Sequence, residues 1–211
     1  MTLRRVLKRL SASVMPSSVL VVHGPRDKRQ IALTFDDGPD QRTPEYIATL
    51  DRLGARATFF VIGQNAARYP QHTLDLLAAG HEVLGHGYTH TKLTELPQER
   101  LRREIEMTAA VVPPHPHPAL RPPGGAISAG SLVRTAACGY TTVLWSYDSK
   151  DASVKEPDRI CEILSPENLN GGDIVLLHEN QPWTLAALPR AVSALQAAGF
   201  ALVTVGEMLG W

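Results

Sequence analysis

From residue 30 onward, short apolar runs alternate with amphipathic segments, and this alternation limits the fold more than any other feature of the chain. Residues 31–35, Ile31-Ala32-Leu33-Thr34-Phe35, read as a buried strand. Thr43-Pro44 reads as an N-cap followed by proline at the first helical position. Tyr46, Ile47, Leu50 and Leu53 form the apolar stripe of that helix, and Gly54 ends it. Residues 57–61 are a second strand, and a helix over 70–79 carries apolar Leu74, Leu76 and Leu77 and stops at Gly80. Residues 81–84 are a third strand. Leu101, Ile105, Thr108 and Val112 mark one side of a highly charged helix. Residues 113–118 are too rich in proline to be helical. Further strands fall at 119–120, 141–144, 174–177 and 201–204, and a helix with Leu185, Leu188, Val192 and Leu195 stops at Gly199. About seven such alternations argue for an α/β fold with a parallel sheet. Polar residues follow the strands at their C-terminal ends: Asp36-Asp37, Gly85-His86, Arg121, Asp148 and His178. An open sheet would spread them along an edge, whereas a barrel gathers them on one rim, and so many reactive types favour the barrel.

The 211 residues suit one domain with a real core. Lys+Arg and Asp+Glu both number 21, so no net field draws the chain to nucleic acid. No apolar run approaches the roughly 20 residues of a membrane span. The expected division is a lead-in segment over 1–29 and a catalytic domain over 30–211. Within the lead-in, Leu3, Val6, Leu7 and Leu10 oppose Arg4, Arg5, Lys8 and Arg9 at helical spacing. That predicts a short helix over 2–10 docked on the domain, with weak contact to an anionic membrane surface as the second reading. No signal-peptide apolar core follows it, so a cytoplasmic or membrane-peripheral location is expected, unless a longer precursor is exported. Cys138 and Cys161 are far apart and read as two buried free thiols. Oligomeric state is not legible.

Five short segments carry chemistry. Asp36 and Asp37 are adjacent, so their side chains point apart and suit different jobs, although a bare Asp-Asp-Gly is more often a polar turn. His86 and His90 are four apart and share a side on one helical turn, and with a carboxylate they would suit a divalent metal. Alone, such a pair is a common surface feature, and His81 nearby reads as structural. Arg121-Pro122-Pro123-Gly124-Gly125 sets a guanidinium on a rigid loop at a strand end, or is a proline-rich turn with a surface arginine. Asp148 and Asp151 follow another strand, and His178 ends the apolar run 174–177, where a satisfied core histidine is the commoner case.

In this order the segments resemble the polysaccharide deacetylases of carbohydrate esterase family 4, over about residues 30–209. Thr34-Phe35-Asp36-Asp37-Gly38-Pro39 resembles the first motif of that family, and Ala57-Thr58-Phe59-Phe60-Val61-Ile62-Gly63 its second strand. His86 with His90, Arg121-Pro122-Pro123, Asp148 to Asp151, and Leu176-Leu177-His178 resemble the remaining four motifs. The resemblance implies a distorted (β/α)7 barrel and metal-assisted removal of acetyl from an N-acetylated sugar. It implies that Asp37, His86 and His90 hold one divalent ion, zinc before cobalt, nickel or manganese. Asp36 is then the general base paired with Arg121, and His178 the general acid oriented by Asp151. Leu176 would line the acetyl pocket, and Gly124 would offer its backbone N–H to the oxyanion.

Three positions depart from the family pattern. Gly87 stands where Ser or Thr usually follows the first histidine, Gly124 where an aromatic residue is common, and Ala152 where Trp is usual. Missing aromatic walls predict an open groove unless Tyr147, Trp145 or Trp183 fills it, with Tyr147 expected to bind substrate. An open groove suits a glycan that is bulky near the acetylated ring, such as a branched or lipid-linked one. The competing readings are an amidohydrolase of a small non-sugar amide and a saccharide-binding module without turnover.

Overall fold

The computed structural model describes residues 15–211, and one curled sheet of nine strands runs through them. In chain order the strands are β1 (Leu20–Val21), β2 (Gln30–Asp36), β3 (Thr58–Val61), β4 (Glu82–Gly85), β5 (Ala119–Leu120), β6 (Thr141–Val143), β7 (Tyr147–Asp148), β8 (Asp173–His178) and β9 (Ala201–Leu202). Their spatial order is β1-β6-β5-β4-β3-β2-β8-β7, with β9 also against β2. Every pairing is parallel. The helices are α1 (Thr43–Arg52), α2 (Gly63–Arg68), α3 (Pro70–Ala78), α4 (Gln98–Ala109), α5 (Ala129–Ala137), α6 (Pro157–Ile163), α7 (Pro182–Ala197) and α8 (Val205–Leu209). Strands β1 and β7 end the strand path without pairing to each other, so the barrel is distorted rather than evenly closed. This is the (β/α)7-type architecture expected above.

Alternation along the strands divides the core in two. Ala32, Phe60, Leu84, Ala119, Val143 and Ile174 face inward and pack together. Ile31, Leu33, Phe35, Phe59, Val61, Val175 and Leu177 face outward, under Tyr46 and Leu50 of α1 and Leu188 and Val192 of α7. Phe35 meets Tyr46 edge-on at 5.3 Å and stacks on Phe59 at 5.0 Å. Each such side chain contributes roughly 1.5–3 kcal/mol by leaving water. This double packing leaves the strands no freedom to slip, because a shift of one residue would turn Asp36 outward and Phe35 inward.

Several local expectations fail. The domain does not begin at residue 30, because β1 is already part of the sheet and pairs with β6. The basic stretch over 2–10 lies outside the described residues. Thr43 is not the N-cap of α1; Arg42 is, with no side-chain bond. The Thr43 hydroxyl is instead taken by tertiary partners, accepting from the Asp40 N–H and donating to Glu179. Of the three leucines of α3 only Leu76 is buried, while Leu74 and Leu77 are exposed. Cys138 and Cys161 are free, but partly rather than fully buried. Helices α2 and α6 are short and carry few apolar positions, whereas α5 is amphipathic and was missed despite its pattern. A Ser128–Ser131 capping box starts α5.

Candidate active site

The C-terminal ends of β2, β4, β5 and β8 deliver Asp36, His86, Arg121 and His178 to one rim. Asp36 is the last residue of β2 and still faces inward. Arg121 donates to its Oδ1 at 2.7 Å. The guanidinium is fully enclosed: it also donates to Thr34 Oγ1 at 2.8 Å and to the Leu144 carbonyl at 3.0 Å, and lies 4.0 Å over the Phe60 ring. A buried charge needs such a complement of acceptors, so Arg121 is not the surface arginine of a proline turn.

Asp37 leaves the strand direction, with φ at +75°. Asn65 of α2 holds this turn by donating to the Asp37 carbonyl at 2.8 Å, and the Ile62 N–H donates to the Gly38 carbonyl at 2.9 Å. The two adjacent carboxylates therefore diverge, as expected. Candidate metal-ligand atoms of Asp37, His86 and His90 all lie within 4.8 Å of one another. His86 Nδ1 is 2.8 Å from the Arg121 carbonyl, which can only accept, so Nδ1 carries the proton and Nε2 the lone pair. That Nε2 lies 3.7 Å from Asp36 Oδ2 and 3.7 Å from Asp37 Oδ1, and His90 Nε2 lies 3.3 Å from Asp37 Oδ1. Burial pushes the His86 imidazole down, to the neutral form a metal requires. At His90 the hydrogen bond to Asp37 raises the pKa. Burial raises the Asp37 carboxyl, but the His90 bond and the neighbouring histidine charges outweigh it, and the net is a lowered pKa. Asp37 Oδ1 is buried and faces the Nε2 atoms of both imidazoles. An ionised carboxylate oxygen converging with two imidazoles fits a divalent cation.

The histidines do not share a helical turn. Residues 86–92 are non-helical, and Gly87 and His90 have φ of +75° and +60°. The spacing works through two left-handed residues that fold the loop back on itself, not through the 3.6-residue period.

On the other flank, Asp151 accepts from the His178 ring at 2.8 Å, from the His178 N–H at 2.7 Å and from Thr184 at 2.7 Å. Trp183 Nε1 donates to the Asp151 carbonyl at 2.7 Å and so fixes that loop from α7. Nδ1 of His178 is thereby occupied, which leaves Nε2 for a substrate. Burial pushes the His178 imidazole down, but Asp151, Asp36 and Asp37 outweigh it, and its pKa rises to about 8. Leu176 sits two residues before His178 on the same inward side and is buried. Gly124 is exposed on its loop at φ +63°. Tyr147 is a correction. Its hydroxyl donates to the Ile163 carbonyl at 2.7 Å and its ring packs on the outer core, on the opposite side of the sheet from Leu176. Trp145 packs below Arg121, 5.5 Å from its guanidinium. His81 is structural: Nδ1 accepts from the Ala57 N–H, and burial lowers its pKa to about 4.

Glu179 was not among the expected residues. It is fully buried under the Asp37–Gly38 turn, donates its N–H to the Asp36 carbonyl at 3.0 Å, and takes the Thr43 hydroxyl on its carboxyl. A Cβ at Gly38 would collide with that carboxyl, which explains the glycine. Burial pushes the carboxyl up to about 8. Only its adjacency to His178 hinted at it.

A parallel-strand α/β barrel with a carboxylate–histidine centre on one rim is the class that fold and site define. The chain belongs to the polysaccharide deacetylase family, which it matches over residues 23–143. It is 33% identical over 208 residues to a peptidoglycan-N-acetylglucosamine deacetylase of Bacillus cereus, covering 95% of this chain and 97% of that one. It is 34% identical over 188 residues to a chitooligosaccharide deacetylase of Sinorhizobium fredii, covering 81% and 87%. The solved Bc1960 peptidoglycan N-acetylglucosamine deacetylase superposes with a TM-score of 0.87 at 27% identity, over 95% of this chain and 96% of that one.

Proposed function

We propose that this chain is a divalent-metal-dependent hydrolase that removes the acetyl group from an N-acetylated amino sugar within a glycan. One observation carries the reading: the Asp37–His86–His90 cluster is flanked by an Asp36–Arg121 pair and a His178–Asp151 pair. Amide hydrolysis needs a base for water on one side and an acid for the leaving amine on the other. A divalent ion held by Asp37, His86 and His90, zinc before cobalt, nickel or manganese, would polarise the acetyl carbonyl and acidify water. Asp36 takes the proton from water, and Arg121, donating to its Oδ1, holds the carboxylate in position. His178 delivers a proton from Nε2 to the departing amine, while Asp151 holds the ring in place. The backbone N–H of Gly124 is assigned to the oxyanion, and Leu176 to the acetyl methyl. The names of the two sequence relatives support a sugar amide over a small non-sugar amide.

Acetate release from peptidoglycan fragments, chitooligosaccharides and small amides tests this. Activity on the glycans should vanish on exhaustive chelation and return with Zn²⁺ or Co²⁺. Turnover of small amides alone would replace the substrate assignment, and activity that survives chelation would remove the metal.

A further inference from the structure

We propose that Glu104 is a positioning residue for the metal centre, fastening the loop between His86 and His90 so that His90 meets Asp37. This rests on the metal-site reading above. The loop is an unusual way to bring two ligands together. It has no helical hydrogen bonds of its own, and it holds His90, an L residue with a full side chain, at φ +60°. That conformation is strained for an L residue and persists only where the surroundings enforce it.

The enforcement comes from two sides. The N–H groups of Gly63 and Gln64, at the start of α2, donate to the carbonyls of Gly87 and Tyr88 at 2.9 and 3.0 Å. On the other side, Glu104 of α4 reaches across. Its Oε2 accepts from the Tyr88 N–H at 2.8 Å and the Thr89 N–H at 2.9 Å, and its Oε1 accepts from the Thr89 hydroxyl at 2.8 Å. One carboxylate thus satisfies three donors on the two residues just before His90. Its helix is anchored beneath by buried Leu101, Ile105 and Thr108, so the carboxylate is a fixed point. Gly87 brings no side chain of its own to stabilise the loop, and a Cβ there would stand 3.4 Å from Pro123 and 3.6 Å from Glu104 Oε2. The loop is therefore set from outside. Groups that orient metal ligands typically alter affinity by about 10–100-fold when removed.

The test is Zn²⁺ affinity, measured by competition with a chromophoric chelator, together with thermal unfolding of the metal-free protein. Glu104→Ala should weaken Zn²⁺ binding by about 10–100-fold. Glu104→Gln should recover most of it, because one amide oxygen can accept both N–H bonds. A Zn²⁺ affinity for Glu104→Ala within about twofold of wild type would overturn the role, and so would a Glu104→Gln as weak as Glu104→Ala. If Glu104→Ala does not fold, Glu104→Asp replaces it. It keeps the charge but falls a methylene short, so it should weaken Zn²⁺ equally, and an unchanged affinity would overturn the role. A wild type that binds no divalent ion would instead sink the metal site itself, whereas intact wild-type binding with unaffected variants sinks only Glu104.

Discussion

Asp36 and His178 are register partners on the adjacent parallel strands β2 and β8, so they rise from the same face side by side. Each is then tied outward to a different partner, Asp36 to Arg121 and His178 to Asp151. A proton acceptor and a proton donor thereby share one floor without neutralising each other. Asp36→Asn and His178→Ala should each lower kcat by a factor on the order of 10² or more while Zn²⁺ content is unchanged. Steady-state kinetics with metal analysis checks this, and a normal rate in either variant rejects its assigned role.

Arg121 has no access to solvent and answers Asp36, Thr34 and two backbone carbonyls. Removing one partner of a buried pair typically costs about 3–5 kcal/mol. Arg121→Met should lose stability in that range and activity with it, read by urea unfolding alongside kinetics. A loss under about 1 kcal/mol would mean that the pair carries little of the fold.

The pKa of His178 lies at about 8, above its ordinary 6.5. A raised histidine pKa makes the imidazolium's contribution to stability complete below 6.5 and lost as pH rises through about 8. The acid is charged in the same range, so proton donation fails on the alkaline side. Asp151→Asn leaves the burial and removes the charge, so the His178 pKa should fall well below that of wild type. An NMR titration of the His178 ring in metal-free protein reads both values directly, and identical titrations would dismiss Asp151 as the cause.

Glu179 has a carboxyl raised from 4.5 to about 8 by burial, so it is neutral at pH 7. A raised acid pKa favours the folded state below 4.5 and erodes that advantage as pH climbs to about 8. Glu179→Gln keeps the shape and cannot ionise. Its melting temperature relative to wild type should rise between pH 5 and pH 8, and a difference independent of pH would show that Glu179 is charged throughout.

Gly124 and Ala152 are both exposed, and a Cβ added at Gly124 meets nothing within 4 Å. Trp145 and Tyr147 are committed elsewhere, below Arg121 and on the outer core. Trp183, held against the Asp151 carbonyl, is the third aromatic residue that could form a wall; we propose an open groove on the Gly124 and Ala152 side, and with it a substrate bulky beside the acetylated ring. Ala152→Trp should then raise kcat/KM on linear chitooligosaccharides several-fold, as an aromatic face is worth about 0.5–1.5 kcal/mol beyond its area. An already efficient wild type with no gain from Trp would close the idea.

The strands and the rim were legible because burial writes a pattern into sequence: residues 31–35 and 174–177 read as buried strands, and the polar residues that follow them fall at strand ends. The residues of α1 and α7 that cover the sheet were legible for the same reason. What tertiary structure decided is everything that depends on a distant partner. Thr43 gives up its cap because Glu179 competes for its hydroxyl, Tyr147 turns outward because Val175 across the strand does, and His90 reaches Asp37 through a left-handed turn that no residue period encodes. Glu104 and Glu179 look like ordinary surface acids in the sequence. Only the packing of α4 and of the β2–α1 turn makes one a clamp on two backbone amides and the other a buried neutral carboxyl.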